Sequence, residues 1–154
     1  HNTLAFDEAD QMLRLSRFLH ARWPSRGDLP AGGWVRDHRG NRHAREVTAA
    51  GRAWEVVDRV AGPFARVALR WHLAGSGWAR TGSGAEGPLA RIGLSADGPL
   101  VLSLEEGWHS PSYGVAERGI VLVARARAPV SRLTTRITLS QRPQVESDAP
   151  ASHC

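Results

Sequence analysis

The strongest constraint on the fold comes from the segment Phe64 to Leu73, in which apolar and polar side chains alternate. The apolar residues fall on odd positions: Ala65, Val67, Leu69, Trp71 and Leu73. The cationic ones fall on even positions: Arg66, Arg70 and His72. A period of two residues is that of a β-strand, whose side chains point alternately to opposite faces. The segment therefore predicts a strand with one face in a core and one cationic face.

The same period returns elsewhere in the chain. Trp54, Val56, Asp58 and Val60 share one face of a second predicted strand, and the pattern recurs in residues 120–126 and 133–139. Glycine at Ala50-Gly51-Arg52 and an Asp-Gly pair in residues 95–99 are turn signals, and each predicts a hairpin between its neighbouring strands. No long apolar stripe has the helical period. We expect an all-β fold, an antiparallel β-sandwich of two packed sheets with few or no helices.

Three segments are less regular. Alternation in Met12 to Ala21 favours a strand, although Leu15, Phe18 and Leu19 also fit a helical stripe, so both interpretations stay open. Proline and glycine interrupt Trp23 to Gly33, glycine interrupts Gly75 to Gly87, and both segments are predicted to be loops.

The chain has 154 residues, enough for one core, and no apolar stretch approaches the roughly 20 residues that a membrane-spanning helix needs. We expect one domain over residues 1–139, followed by a flexible tail over 140–154 that is rich in proline and serine. Because the first residue is His1, we expect a fragment or a processed form. The single cysteine, Cys154, cannot form an intrachain disulfide and leaves the redox compartment open.

The formal net charge is +5, and every basic residue apart from histidine is an arginine. A guanidinium binds carboxylate, sulfate or phosphate through two parallel hydrogen bonds, which a lysine cannot do. The composition therefore suggests a polyanionic partner, although codon bias would produce the same composition. No recognition helix and no aromatic RNA-binding strand is evident, so nucleic acid is not the expected partner.

Several motifs occur in an order that resembles the C-terminal β-domain of the heparinase II/III-like family of polysaccharide lyases. The resemblance extends from His1 to about Leu139 and rests on the following segments: His1-Asn2-Thr3-Leu4, Asp10-Gln11, His43-Ala44-Arg45, Trp54 to Gly62, Leu69-Arg70-Trp71-His72-Leu73 and Ser112-Tyr113-Gly114.

The resemblance implies an enzyme in which a helical (α/α) toroid precedes this domain and an acidic polysaccharide lies between the two. Such lyases cleave by β-elimination, which requires a neutralised uronate carboxylate, a base for the C5 proton and an acid for the leaving oxygen. The toroid, which is absent from this chain, would supply a tyrosine and an Asn-His pair. The β-domain would contribute a histidine near its start, which His1 matches; its imidazole, with an ordinary pKa of about 6.5, is the predicted catalytic group.

Substrate-binding candidates are Asn2, which would orient His1, and Arg66, Arg70 and His72 on the cationic strand face, unless that face is simply solvated. Some relatives hold zinc through two histidines and an aspartate, one histidine lying two residues from the catalytic one. Thr3 occupies that position here. If His1 is instead the histidine on the metal side, the other candidate zinc ligands are His43 and one of Asp28 or His20; otherwise His20 and His43 are ordinary surface residues.

Trp54 and Trp71 are predicted to be buried by alternation, and Tyr113 is expected to cap a turn through its hydroxyl group. The tryptophans in or beside predicted loops would be available to stack on sugars: Trp23, Trp34, Trp78 and Trp108.

The leading functional hypothesis is the β-sandwich part of a lyase for uronic-acid polysaccharide, inactive without its toroid. The alternative is a stand-alone carbohydrate-binding module. Family analogy places the parent protein in the periplasm or outside the cell.

Overall fold

The computed structural model describes residues 2–9, 12–17, 19–110 and 112–140, and these ranges contain strands and turns but no helix. The all-β prediction is confirmed. In chain order the strands are β1 Leu4–Phe6, β2 Leu13–Arg14, β3 His20–Ala21, β4 Ser25–Leu29, β5 Gly32–Arg36, β6 Arg42–Ala50, β7 Ala53–Ala61, β8 Arg66–Leu73, β9 Ala79–Thr81, β10 Gly84–Glu86, β11 Ala90–Ala96, β12 Leu100–His109, β13 Glu117–Arg127 and β14 Arg132–Leu139.

Two antiparallel sheets form the sandwich. The smaller sheet has the strand order β1-β8-β13-β12, and the larger sheet has the order β4-β5-β6-β7-β14-β11-β10-β9. Between them lies a core that includes Leu69 and Leu122 from the smaller sheet and Leu133 from the larger, all three fully buried. Burying each such side chain contributes about 1.5–3 kcal/mol. The predicted sandwich of two packed sheets is confirmed.

Strand β8 has the two faces that its alternation predicts. Its odd-numbered residues from Val67 to Leu73 are buried in the core, and Arg66, Arg70 and His72 lie on the opposite, outer face of the smaller sheet. Trp71 is buried as expected, and its indole Nε1 donates a hydrogen bond to Thr135 Oγ1 at 3.2 Å across the sandwich. Trp54 is only half-buried, so the prediction of a buried side chain is wrong at this position.

The hairpin predicted at the Asp-Gly pair in residues 95–99 is wrong. Strand β11 belongs to the larger sheet and β12 to the smaller one, so the connection crosses between the sheets. The Asp97 carboxylate explains this, because it accepts hydrogen bonds from the Ser131 hydroxyl at 2.6 Å and from the backbone amides of Ser131 and Arg132. These bonds attach the turn to the connection between β13 and β14, which crosses the sandwich at the same end. The hairpin at Gly51, between β6 and β7, is confirmed.

The loop prediction for residues 23–33 is wrong, because β4 pairs with β5 there. The glycines of this segment allow neighbouring groups to pack closely and do not interrupt the strands. A Cβ at Gly32 would lie 1.9 Å from the Arg45 carbonyl oxygen, and one at Gly27 would lie 2.6 Å from the Trp34 indole. The second predicted loop, residues 75–87, likewise contains β9 and β10.

The segment 12–21 is neither one strand nor a helix in its described part. It contains the two-residue strands β2 and β3, which pair with each other, while Leu15 and Leu19 are exposed because no second layer covers them. Tyr113 is fully exposed rather than packed on a turn. Residues 141–154, most of the predicted tail, lie outside the described ranges, so the tail stays a prediction.

The two sheets differ in width, and this difference positions the candidate site. The main core cluster includes residues of β7, β11 and β14 but none of β4, β5 or β6. The core-facing sides of these three strands therefore continue past β1, which is the edge strand of the smaller sheet.

Candidate functional site: a shelf beside the first strand

The uncovered side of β4, β5 and β6 forms a shelf, which we define by Arg26, Asp28, Val35, His43 and Arg45. Cross-strand pairing places these side chains on one face, because Val35 is opposite both Arg26 and His43, and Gly33 is opposite both Asp28 and Arg45. A groove of about 640 Å³ lies over the shelf. Within the described part of the chain, neither Arg26 nor Asp28 has an ion-pair partner, and both are exposed.

A buried carboxylate lies at the inner end of the shelf. Asp58 is 0% exposed, between Val56 and Val60 on the core-facing side of β7. An isolated charge there would be strongly unfavourable. Its two oxygens accept three hydrogen bonds, from His43 Nε2 at 2.6 Å and from Arg45 Nε at 2.7 Å and Nη2 at 3.1 Å.

Burial alone would raise the pKa of Asp58, but the hydrogen bonds from His43 and Arg45 and the charge of Arg45 outweigh it and hold the pKa below its ordinary value. The carboxylate is therefore ionised at neutral pH and fixes the imidazole orientation. With Nε2 directed at Asp58, Nδ1 is the His43 nitrogen left for a ligand in the groove.

Arg45 also connects the shelf to the beginning of β1. Its Nη1 donates a hydrogen bond to the Asn2 carbonyl oxygen at 2.9 Å, and its guanidinium carbon lies 5.1 Å from the centre of the Trp71 ring. The Asn2 side-chain oxygen in turn accepts a hydrogen bond from the His72 backbone amide at 2.7 Å. The backbone just after His1 is thus held by both sheets.

The structure brings together only some of the predicted substrate-binding residues. Asn2 lies at the shelf beside the backbone of His72, whereas the side chains of His72 and Arg70 lie on the outer face of the smaller sheet. Burial, together with the nearby charge of Arg70, lowers the pKa of His72, so its ring is mainly neutral at pH 7.

Arg66 lies at the other end of β8, six residues and about 20 Å from His72. It lines a different cavity of about 510 Å³ together with Arg125 and Arg127. It therefore does not join Asn2 in one site. The predicted catalytic residue, His1, lies outside the described residues, and its role stays a prediction.

The zinc candidates do not form a common ligand set in the described residues. Asp28 and His43 share the shelf, but His20 is in the small β2-β3 hairpin. Across the described ranges, no three histidine, cysteine, aspartate or glutamate side chains come close enough to hold a metal ion. His43 Nε2 is hydrogen-bonded to Asp58, whose oxygens also accept the Arg45 donors, so the described residues leave only His43 Nδ1 and the Asp28 carboxylate on the shelf, too few ligands for the zinc site that the family resemblance implies.

Sequence reasoning missed Asp58 and Arg45 as parts of this site. The signal was present, because an aspartate on the apolar face of a strand needs a cationic or hydrogen-bonding partner when it is buried. What the sequence does not give is the pairing of β6 with β7, which places Arg45 directly opposite Asp58.

Residues 1–145 match the family described as heparinase II/III-like, C-terminal. The chain belongs to this family. Three of the segments on which the resemblance rests meet around the Asp58 carboxylate: His43-Ala44-Arg45, Trp54 to Gly62 and Leu69 to Leu73. The segment His1 to Leu4 joins them through Asn2.

Solved structures agree with the family assignment in fold. The chain is similar to a heparinase III, the BT4657 gene product, with a TM-score of 0.67 at 14% identity over 92% of this chain. It is also similar to the heparan sulfate lyase HepC from Pedobacter heparinus, with a TM-score of 0.61 at 16% identity over 93% of this chain.

The chain spans only 24% and 25% of the length of these two proteins. No curated protein sequence is similar enough to count as a relative. In the part of the chain that the structure describes, no helix is long and apolar enough to cross a membrane.

Proposed function

We propose that the chain is the C-terminal β-domain of a lyase that cleaves uronic-acid polysaccharide by β-elimination, and that an (α/α) toroid precedes it in the parent protein. The observation that carries the proposal is the groove over the shelf, which lies beside Asn2. A domain that precedes residue 1 is joined to the chain at this place, and a polymer between the two domains would contact the shelf.

The shelf offers groups that suit an acidic sugar. Arg26 is exposed, and its planar guanidinium can bind a uronate carboxylate with two hydrogen bonds. His43, oriented by Asp58, presents Nδ1 as a donor or an acceptor. In this proposal His1 takes part in proton transfer, and the toroid supplies the tyrosine and the Asn-His pair that the family resemblance implies.

We expect no turnover by the 154-residue chain alone, because in this proposal most of the catalytic groups belong to the toroid. It also places the parent protein in the periplasm or outside the cell, where polymeric substrates are found. This localisation rests on analogy with the family.

The test uses the whole parent protein and a panel of heparan sulfate, heparin, alginate and bacterial exopolysaccharide. β-Elimination creates a C4=C5 double bond conjugated with the carboxylate, which is followed by its ultraviolet absorbance. We expect product from at least one polymer and none from the 154-residue chain alone. Arg26→Ala should raise KM for the polymer about tenfold, the loss of one charged contact, whereas Arg91→Ala, at an exposed ion pair with Glu86 on β11, should not. No product from any uronate polymer would refute the proposal.

A second candidate function is carbohydrate binding without cleavage. Trp108 is 65% exposed, and the Arg118 guanidinium lies 5.7 Å from the centre of its ring. An exposed aromatic ring beside a guanidinium suits stacking on an anionic sugar. This alternative predicts that the chain is retained on immobilised uronate polymer, that Trp108→Ala abolishes retention, and that the parent protein forms no unsaturated product.

A further inference from the structure

We infer that the Arg45 guanidinium takes the place of a bound cation at Asp58 and His43, so that the shelf is held together without a metal ion. We call these three residues the clasp. The inference goes beyond the proposed function, because it concerns how the domain is held and does not depend on whether the parent protein cleaves polysaccharide.

The Asp58 carboxylate uses three of its roughly four acceptor positions within the clasp. Asp58 Oδ1 accepts hydrogen bonds from His43 Nε2 and Arg45 Nε, and Oδ2 accepts one from Arg45 Nη2. The two parallel bonds from Arg45 are the geometry that makes guanidinium–carboxylate pairs strong. A metal ion at these oxygens would have to compete with the guanidinium, which also stacks on Trp71.

The clasp also lies between the two sheets. Arg45 and Asp58 face each other across β6 and β7 of the larger sheet. The third arm of the same guanidinium reaches the smaller sheet, through the hydrogen bond from Nη1 to the Asn2 carbonyl oxygen. Asn2 precedes β1 and is hydrogen-bonded to β8, so one fixed positive charge joins both sheets at this point.

The clasp is largely shielded from solvent. The Asp58 side chain is fully buried, and the side chains of His43 and Arg45 are only 13% and 22% exposed. Solvent therefore screens the pair weakly, and removing Arg45 would leave an uncompensated buried carboxylate.

The test begins with the wild-type 154-residue chain. We expect purified protein to contain far less than one zinc ion per chain by elemental analysis. The melting temperature should be the same in EDTA and in a slight excess of ZnCl₂, because a ligand that does not bind the folded state does not stabilise it.

The second part of the test removes the guanidinium. Arg45→Met keeps an apolar stem against Trp71 and removes the charge, and it should lower the melting temperature by about 10 °C. The matched control is Arg59→Met on β7, because Arg59 is exposed and pairs with Glu46 at the surface; it should shift the melting temperature by no more than about 2 °C.

The inference would be overturned by stoichiometric zinc in the purified wild-type chain, or by a fall in its melting temperature in EDTA. It would also be overturned if Arg45→Met were as stable as Arg59→Met. If Arg45→Met does not fold, Arg45→Lys provides the comparison: it keeps the charge without the two-armed geometry, and we expect it to be less stable than wild type and still insensitive to zinc.

Discussion

The most informative stability prediction concerns Asp58→Asn. The substitution keeps the size of the side chain but removes the charge that Arg45 and His43 share. Asparagine has one acceptor oxygen, so its amide nitrogen must face at least one donor of these two neighbours. The variant therefore leaves Arg45 as a largely buried cation without a counter-charge.

The magnitude follows from the contacts that are lost. Removing one partner of a buried ion pair typically costs about 3–5 kcal/mol, and each hydrogen bond to a charged group contributes about 1.5–3 kcal/mol. Because the Arg45 side chain is 22% exposed, water can partly rehydrate it, which places the loss at the lower end. We expect the free energy of unfolding to fall by about 3 kcal/mol.

Urea unfolding followed by tryptophan fluorescence measures this loss. With a slope of about 2 kcal/mol per molar urea, the midpoint should fall by about 1.5 M. The matched control is Glu86→Gln, which removes one carboxylate of an exposed pair with Arg91 and should cost less than about 1 kcal/mol. A loss for Asp58→Asn no larger than that of the control would refute the reasoning.

The same variant has a defined pH dependence. The pKa of Asp58 is lower in the folded protein than its ordinary value of 3.8, so its stabilising contribution is complete above that pH. The contribution is lost as the pH falls through the folded-state pKa. The difference in stability between wild type and Asp58→Asn should therefore shrink in acid, and a difference that stays constant down to the acid transition would contradict this.

Two further predictions concern residues away from the shelf. Hydrogen bonds from Arg125 and Ser103 hold the pKa of Glu105 at about 2, against an ordinary value of 4.5, so wild type should lose stability between pH 4.5 and about 2 that Glu105→Gln does not lose; at pH 7 wild type should be more stable than the variant by the same amount, which solvent screening keeps small because the pair is about 40% exposed, and parallel acid limbs in urea titrations would argue against this. A Cβ at Gly84 would lie 1.8 Å from a backbone carbonyl oxygen, whereas one at its cross-strand partner Gly93 meets nothing within 4 Å; Gly84→Ala should therefore cost about 1–3 kcal/mol and Gly93→Ala almost nothing, and equal urea midpoints would contradict the packing.

The fold was predictable where a strand has one apolar face. In β8 and β7 the alternation alone identifies the buried side, because each strand is covered by the opposite sheet. Where a strand has little cover, the signal fails. Residues 23–33 were predicted to be a loop because glycine and proline usually interrupt structure, yet Gly27 and Gly32 are needed for the close approach of Trp34 and β6.

The connection at Asp97 failed for a different reason. An Asp-Gly pair favours a tight turn, but the turn residues do not say which strands it joins. The side-chain bonds from Asp97 to Ser131 and Arg132 decide the crossing, and they link residues more than 30 positions apart.

The candidate site was predictable only in part. The family-like motifs identify Asn2 and His43 as residues of interest, and the structure places both at the shelf. Arg66 shares a strand face with His72, and the strand rise already places the two about 20 Å apart. What the sequence does not show is which end of β8 lies beside the shelf. The clasp depends on the register of β6 against β7, which the sequence pattern does not specify.

The central claim, that this domain completes the active site of a uronate-polysaccharide lyase, is tested most directly by the kcat of the whole parent protein for double-bond formation. We expect His1→Ala to lower kcat by about 100-fold or more, the effect of losing a proton-transfer group, while His20→Ala in the separate β2-β3 hairpin leaves kcat unchanged. Equal kcat values for wild type and His1→Ala, with the protein folded and product still formed, would contradict the account.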